Sequence, residues 1–410
     1  MITKRFLLAR RLGLGVTDQV LSSFTNFVVS FGVARSVGTR GLGIFGLAFA
    51  TYAVALGVSR ALNTDPVVVR HSASTPDEWR RATSTATGAA VGFGLAVGAA
   101  LAVGSLALRG ETAAVFRVLA LGLPALLLQD AWRWSFVAAR RTGAAVVNDL
   151  VWALTLVPSL VVLAATDRAS TTNLTIAWVT AAGVAALVGL LQAHLVPTPL
   201  APWGWWRAHR DLGPRYLGEF VVSGGVTELI FYAVGAIAGL VALGSLRAAW
   251  LMIGPFNVVL MGIVLVAVPE VARLRVRAPE RLVGACVLVS AALAGLVVAL
   301  TAVLLSVPEG AGRRLLGANW EVGRAVLVPV ALYTLSSAAA TGASIGLRAL
   351  AAAKRSFAAR LAVAPVMIGA ALTGSAVAGA SGAAWGMAAA NSIAVVVWWR
   401  QLAAARLEHA

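Results

Sequence analysis

This sequence is short of charge, of lysine, of cysteine and of histidine, and each shortage closes off a class of protein. Charged residues make up 12% of the 410 residues, about half the share a soluble domain carries, so the chain lacks the polar surface that would keep it in water. Lysine occurs only at Lys4 and Lys354, so the net charge of +17 is almost wholly arginine. An arginine- and alanine-rich bias of that kind is weak ground for nucleic-acid binding, and no nucleic-acid partner is expected. Cys286, the one cysteine, lies in an apolar run and has no second thiol for an intramolecular disulfide. His71, His194, His209 and His409 show no ligand spacing, and there is no Walker A sequence. Neither a metal site nor an ATP motor is expected. With no nucleophile–base pair either, the chain reads as a non-enzyme that needs no cofactor.

Apolar residues fill the space that charge leaves. They are 60% of the chain, with a mean hydropathy of +0.87, and they gather into stretches of about 20 residues, the length a bilayer span needs. Twelve spans are predicted, at 13–34, 42–61, 83–108, 118–139, 143–165, 176–196, 217–242, 248–272, 282–307, 325–346, 357–378 and 383–400. The first follows Lys4, Arg5, Arg10 and Arg11, like the basic head of a signal peptide. It contains Asp18, Gln19 and Asn26, however, and outruns an h-region, so it reads as a retained helix. The fold class expected is an all-α polytopic membrane protein with about 12 transmembrane helices.

Arginine also orients the chain. The termini and even-numbered loops hold 23 Lys and Arg, the odd-numbered loops hold 9, and Arg133 lies within a span. By the positive-inside rule both termini are expected in the cytoplasm. Four prolines, Pro197, Pro199, Pro202 and Pro214, punctuate the segment between the sixth and seventh spans. They divide the chain into six spans over 1–196, a cytoplasmic linker over 197–216 and six spans over 217–410. Trp203, Trp205 and Trp206 beside Arg207 and Arg210 suit a linker lying at headgroup level. Six and six invites parallel repeats, a recurring transporter plan. Both halves open with an unusually polar span followed by a small-residue turn, Val37-Gly38-Thr39-Arg40 in one and Leu243-Gly244-Ser245-Leu246-Arg247 in the other.

Function must then be sought in the polar groups left inside the spans. In the first, Gln19, Ser22, Ser23, Asn26 and Ser30 fall on one helical face with Asp18 at its border. Lipid cannot satisfy them, so they face other helices or a water-filled cavity. In the seventh, Glu219, Ser223 and Thr227 repeat every four residues, and Glu228 with Tyr232 does the same. Glu228 lies near mid-membrane, where a carboxylate costs roughly 2.5–3.5 kcal/mol. It is either an ion or substrate site or a protonated acid bonded to a neighbouring span. Gln129, Asp130 and Arg133 in the fourth span and Asn148 and Asp149 in the fifth flank the Arg140-Arg141 turn. They are expected to form an Asp130–Arg133–Asp149 network fixing a helical hairpin, or else a place where Arg133 exchanges partners with an anionic headgroup.

Other patterns carry less. Gly41-Leu-Gly43-Ile-Phe-Gly46 fits a dinucleotide fingerprint but follows no strand. Pro124, Pro158, Pro255, Pro329 and Pro365 lie within spans, and Gly88 with Gly92 suits close helix approach.

Several blocks look familiar together. Asp18-Gln19-Val-Leu-Ser22-Ser23-Phe-Thr25-Asn26-Phe27 followed by Ala34-Arg35 resembles the first span of actinobacterial polysaccharide-biosynthesis membrane proteins, within the multidrug/oligosaccharidyl-lipid/polysaccharide (MOP) flippase superfamily. Arg60 to Arg70 is similar to their loop after the second span. Gln129-Asp130-Ala-Trp132-Arg133, Asn148-Asp149-Leu-Val-Trp152, and Leu246-Arg247 followed by Gly254-Pro255 look like further blocks of that family. The resemblance implies a MATE-like fold of two six-helix lobes in the bacterial inner membrane, working by alternating access. It implies export of a polyprenyl-diphosphate-linked glycan or related envelope intermediate, among membrane lipids and beside an envelope polysaccharide polymerase or glycosyltransferases. Arginines hold the diphosphate in characterised flippases of this kind; here Arg133 is deep on the cytoplasmic side, and Arg35 and Arg60 are at span ends.

On the first reading Arg35, Arg60 and Arg133 contact phosphate, Gln19, Ser22, Ser23 and Asn26 line the sugar path, and Glu228 with Asp18 couples H⁺ or Na⁺. Asp130 and Asp149 are structural. On a second, the chain is a drug or organic-cation antiporter using Glu228 and Asp18. On a third it is a non-transporting scaffold of a polysaccharide-assembly complex.

Overall fold

The computed structural model describes residues 27–198 and 202–409. Among them it is helical throughout, with no strand. The part of the first predicted span that it describes forms α1 (Phe27–Ser36). There follow α2 (Thr39–His71), α3 (Pro76–Gly104), α4 (Gly110–Ala138), α5 (Thr142–Ala165), α6 (Thr171–Ala193) and the short α7 (Pro202–Ala208). Next come α8 (Gly213–Ile237), α9 (Gly239–Arg277), α10 (Leu282–Ser306), α11 (Glu309–Leu316), α12 (Asn319–Ala325), α13 (Leu327–Ala349) and α14 (Ala353–His409).

Ten of these helices are long and apolar enough to span a bilayer. The chain is a multi-pass membrane protein. A straight helix of the 57 residues of α14 would run about 85 Å, nearly three times the hydrocarbon core. It is in fact two helices, because Ala378 and Gly379 leave helical geometry and Gly379 takes φ 57°. Its two arms pack backbone to backbone: a Cβ on Gly382 would lie 1.9 Å from the Gly374 carbonyl oxygen, and one on Gly374 would lie 2.0 Å from that of Gly382. The helix starts follow local rules. Thr75 and Glu78 form a reciprocal capping box ahead of Pro76 at the head of α3, and Ser170 caps α6 through the Asn173 N–H.

The chain forms two compact units. The first comprises the described residues up to Val37 with Leu47–Glu228, and the second comprises Gly38–Gly46 with Leu229–Ala410. The linker and the first half of α8 pack with the first unit, and the opening turns of α2 pack with the second. Glycine is the reason for the latter. A Cβ on Gly43 would sit 1.9 Å from the Leu240 carbonyl oxygen, and one on Gly244 would sit 2.0 Å from that of Thr39. The two contacts are reciprocal, each glycine four residues beyond the residue whose carbonyl is touched. Gly43, part of the apparent dinucleotide fingerprint, is therefore a helix-crossing residue. Gly88, by contrast, meets the backbone of Thr198 at the entry to the linker rather than another span.

Candidate functional site

The polar groups inside the first unit converge on α2, α4 and α5. The second predicted span ended at 61, yet α2 runs unbroken to His71. Arg60 therefore stands eleven residues from the helix end, about 16 Å along the axis, rather than at a span boundary. The stretch Arg60–Arg70 is helix, not loop. Its start is a single π-turn over Arg60–Thr64, a feature that often marks functional segments. Pro66 has no N–H for the carbonyl of Leu62, and the Trp205 indole donates to that carbonyl instead at 3.1 Å. Trp206 donates to Asn63 Oδ1 at 2.8 Å. Thus Trp205, expected at headgroup level, is buried and serves as a plug for the π-turn, and Trp203 stays 71% exposed. Trp205 also carries the ring of His209 at 3.8 Å and accepts a bond at its carbonyl from the imidazole Nδ1 at 2.9 Å. Burial of His209 holds its pKa below the ordinary histidine value.

Arg60 grips Asp130 with two parallel bonds, Nε to Oδ2 at 2.9 Å and Nη2 to Oδ1 at 2.6 Å, the strongest arrangement open to the pair. The guanidinium side chain is 34% exposed and the carboxylate 7%. Asp130 is thereby committed to α2. Arg133 pairs across the hairpin with Asp149 at 3.2 Å, the two being 6% and 1% exposed, and Asp130 pairs with Arg60.

The hairpin geometry explains the second pair. Arg133 lies five residues before the end of α4 and Asp149 seven after the start of α5, about 8 and 10 Å into the helices from the same turn. Gln129, one turn back on the same face as Arg133, donates to Asp149 Oδ1 at 3.0 Å and to Asn148 Oδ1 at 3.3 Å. Asn148 donates onward to the Ala185 carbonyl and to Gln192 on α6. The centre of the Trp134 ring lies 5.6 Å from the Arg60 guanidinium carbon and 5.7 Å from that of Arg133, within cation–π range of both. Two arginines and two aspartates are thus brought together around one indole and an amide chain.

The remaining predicted residues are placed elsewhere. Arg35 is exposed at the end of α1. Glu228 is half-buried in α8, and Ser223 turns its hydroxyl back to the Glu219 carbonyl at 2.6 Å. Asp18, Gln19, Ser22, Ser23 and Asn26 lie outside the described residues. Among those described, no group of three or more His, Cys, Asp or Glu is placed to hold a metal. Sequence reasoning missed Trp134, Gln192 and the indole donors of the linker. Gln192, a lone amide near the end of a span, was the one visible signal.

No protein-family model matches the chain, and no curated protein does. Solved structures do. An inward-facing multidrug-resistance MATE family transporter of the MOP superfamily is 13% identical with a TM-score of 0.73, covering 95% of this chain and 96% of its own. An outward-facing one is 12% identical with a TM-score of 0.57, over 97% and 96%. A MOP superfamily transporter from Pyrococcus furiosus, described as having a binding pocket of reversed polarity that suggests a different function, is 14% identical with a TM-score of 0.57, over 97% and 95%. The chain has the MATE fold of MOP superfamily transporters.

Proposed function

We propose that the protein is a flippase that carries a polyprenyl-diphosphate-linked glycan, or a related cell-envelope intermediate, from the cytoplasmic to the outer leaflet of the bacterial inner membrane by alternating access. The observation that supports this reading is the Arg60–Asp130 pair: an arginine within a span, one-third exposed, held in bidentate geometry by a single carboxylate. Guanidinium matches phosphate oxygens as well as carboxylate oxygens. A diphosphate can therefore take the place of Asp130 at Arg60 while the lipid tail stays in the bilayer. Arg133 is too deeply buried for the same exchange without movement of the hairpin, so its role is to position Trp134 and, through it, Arg60. Arg35 would meet the headgroup from the end of α1. Gln19, Ser22, Ser23 and Asn26 would line the sugar path, and Glu228 with Asp18 would couple H⁺ or Na⁺.

A headgroup-accessibility assay tests this. Proteoliposomes receive a fluorescent polyprenyl-diphosphate sugar and an impermeant quencher. Wild-type protein is expected to move the headgroup out of reach, and Arg60→Gln to lose that activity while keeping its fold. Equal flipping by wild type and Arg60→Gln would remove the role.

One observation favours a second reading, an antiporter of organic cations. Arg60 and Arg133 are each already neutralised by a carboxylate, and Glu228 is half-buried in α8. Cation efflux driven by an ion gradient, lost in Glu228→Gln and indifferent to polyprenyl phosphates, would establish it in place of the first.

A further inference from the structure

A second feature of the first unit has no part in that scheme. At the end of the bundle where α2 passes into α3 and α4 turns into α5 there is a cavity of about 570 Å³, within the range of small-molecule sites. By the arginine count this is the cytoplasmic end. Its lining residues include Arg80, Arg140 and Arg141, with His71, Ser74 and Trp79, and no Asp or Glu.

Arg80, Arg140 and Arg141 are exposed at its mouth, and three observations show that their surroundings are ordered. Arg80 and Arg141 are anchored by backbone carbonyls, Nη2 to His194 O and Nη2 to Gln192 O, each at 3.0 Å. Those bonds fix the groups without cancelling their charge, and none of the three arginines makes an ion pair among the described residues. Arg140 closes the α4 terminus in left-handed geometry at φ 58°, with the Arg141 N–H returning to Phe136 O at 2.8 Å. Glycine is the usual occupant of that place, because a Cβ costs energy there. The wall is rigid and polar: Trp79, buried, donates its indole N–H to Ser135 O at 3.0 Å, and His71 Nδ1 and Ser74 Oγ are 3.2 Å apart. Like charges gathered in one concavity repel unless an anion joins them, and planar guanidinium donors suit phosphate oxygens best.

We propose that this cavity binds a phosphate-bearing headgroup, a mono- or diphosphate ester presented from the membrane surface. The inference goes beyond the flippase reading and does not depend on what the protein carries.

The test is binding, not transport. Full-length protein in neutral detergent is titrated by native mass spectrometry with phosphatidylglycerol, a polyprenyl diphosphate, inorganic pyrophosphate and, as a phosphate-free control, diacylglycerol. At least one phosphate probe is expected to bind wild type in preference to the control. Arg140→Gly is expected to weaken that binding about tenfold with an unchanged or raised unfolding temperature, since glycine accepts φ 58° freely. Arg210→Gln, an equal loss of charge at an exposed position of the linker outside the cavity, is expected to change binding less than twofold. Preference for phosphatidylglycerol would identify a bulk-lipid site, preference for the polyprenyl diphosphate a substrate-docking site, and equal binding of pyrophosphate a free-phosphate site. No preference for any phosphate probe, or equal weakening by Arg140→Gly and Arg210→Gln, would overturn the proposal.

Discussion

The two units solve one problem with different chemistry. Within a bilayer, helices gain little by hydrophobic association, so packing and polar contacts must hold them together. The first unit uses ionised side chains: Arg60 with Asp130 and Arg133 with Asp149, joined to an amide chain through α5 and α6. The second uses backbone proximity and hydroxyls. Its helix arms touch at Gly374 and Gly382, Ser290 bridges the Gly342 N–H and the Ala339 carbonyl, and Asn391 donates to the Tyr333 carbonyl. Among its described residues, Glu270–Arg273, Glu280–Arg281 and Arg313–Glu321 pair on exposed surface and Arg355 pairs with Glu408 from a half-buried position, while Arg247 lies 3.7 Å from the Phe231 ring centre and donates to the Gly46 carbonyl. Small-residue packing asks only for the right shape and tolerates no alternative partner. A charge pair asks for a partner, and a ligand of the right charge can become one. On the proposed reading, that difference favours the first unit for contact with substrate.

The comparison breaks hardest at Asp149. Asp149→Ala removes the carboxylate 3.2 Å from Arg133, itself 6% exposed, and removal of one member of a buried pair costs about 3–5 kcal/mol. Thermal unfolding in detergent should show that loss, and Arg133→Met combined with Asp149→Leu should recover most of it, since the paired replacement leaves no orphan charge. If the double variant is as unstable as the single, the pair is not what holds the hairpin. In the second unit the matching blow is steric. Gly382→Leu must open an approach in which a Cβ alone would sit 1.9 Å from a carbonyl oxygen, and overpacking typically costs about 1–3 kcal/mol. Its mark should be insensitivity to salt and pH, unlike that of Asp149→Ala.

How much of this was legible in the sequence follows the same division. Apolar length alone located most helices closely: 143–165 was predicted for a helix found at Thr142–Ala165, and the expected gap after 378 is the break at Ala378 and Gly379. Hydropathy failed where tertiary partners rescue polar residues. It ended the second span at 61 because Arg60 is charged and Asn63, Asp65 and Pro66 follow in quick succession, yet Asp130 pairs with Arg60, Trp205 donates to the carbonyl opposite Pro66 and Trp206 donates to Asn63. Spacing also showed that Arg133 and Asp149 lie at matching depth on a hairpin. It had no means of showing that Asp130 would be taken by α2, because that choice depends on which neighbour stands beside α4. The short helices α11 and α12 escaped notice because neither is long enough to span.

Smaller effects sharpen the contrast. Trp205→Phe keeps the ring and removes the donor to Leu62 O, so the carbonyl opposite Pro66 is left unsatisfied, at about 1–3 kcal/mol. Hydrogen exchange should rise over Arg60–Thr64 and not in the second unit; uniform exchange would mean the π-turn stands without its plug. At the other extreme, Arg273→Ala removes an exposed pair in which both side chains are more than half accessible, and the unfolding temperature should move by less than the equivalent of about 0.5 kcal/mol.

The last effect needs no substitution. His209 is buried against Trp205, close to Arg70, Asp211 and His71, and burial lowers its pKa. The unfolded chain, with histidine near 6.5, then binds more protons than the folded one between the two values, so local stability rises with pH. The contribution of His209 is complete above about pH 6.5 and is lost as pH falls through the folded-state value. Amide exchange across Pro202–Leu212, corrected for its intrinsic pH dependence, should therefore show protection that declines on acidification in wild type and stays level in His209→Gln. An identical decline in both would assign the dependence to Asp211 and its partner Arg70. Loss of protection would release the indole of Trp205 from the π-turn, so acid acting on the linker would reach Arg60 through the backbone that carries it.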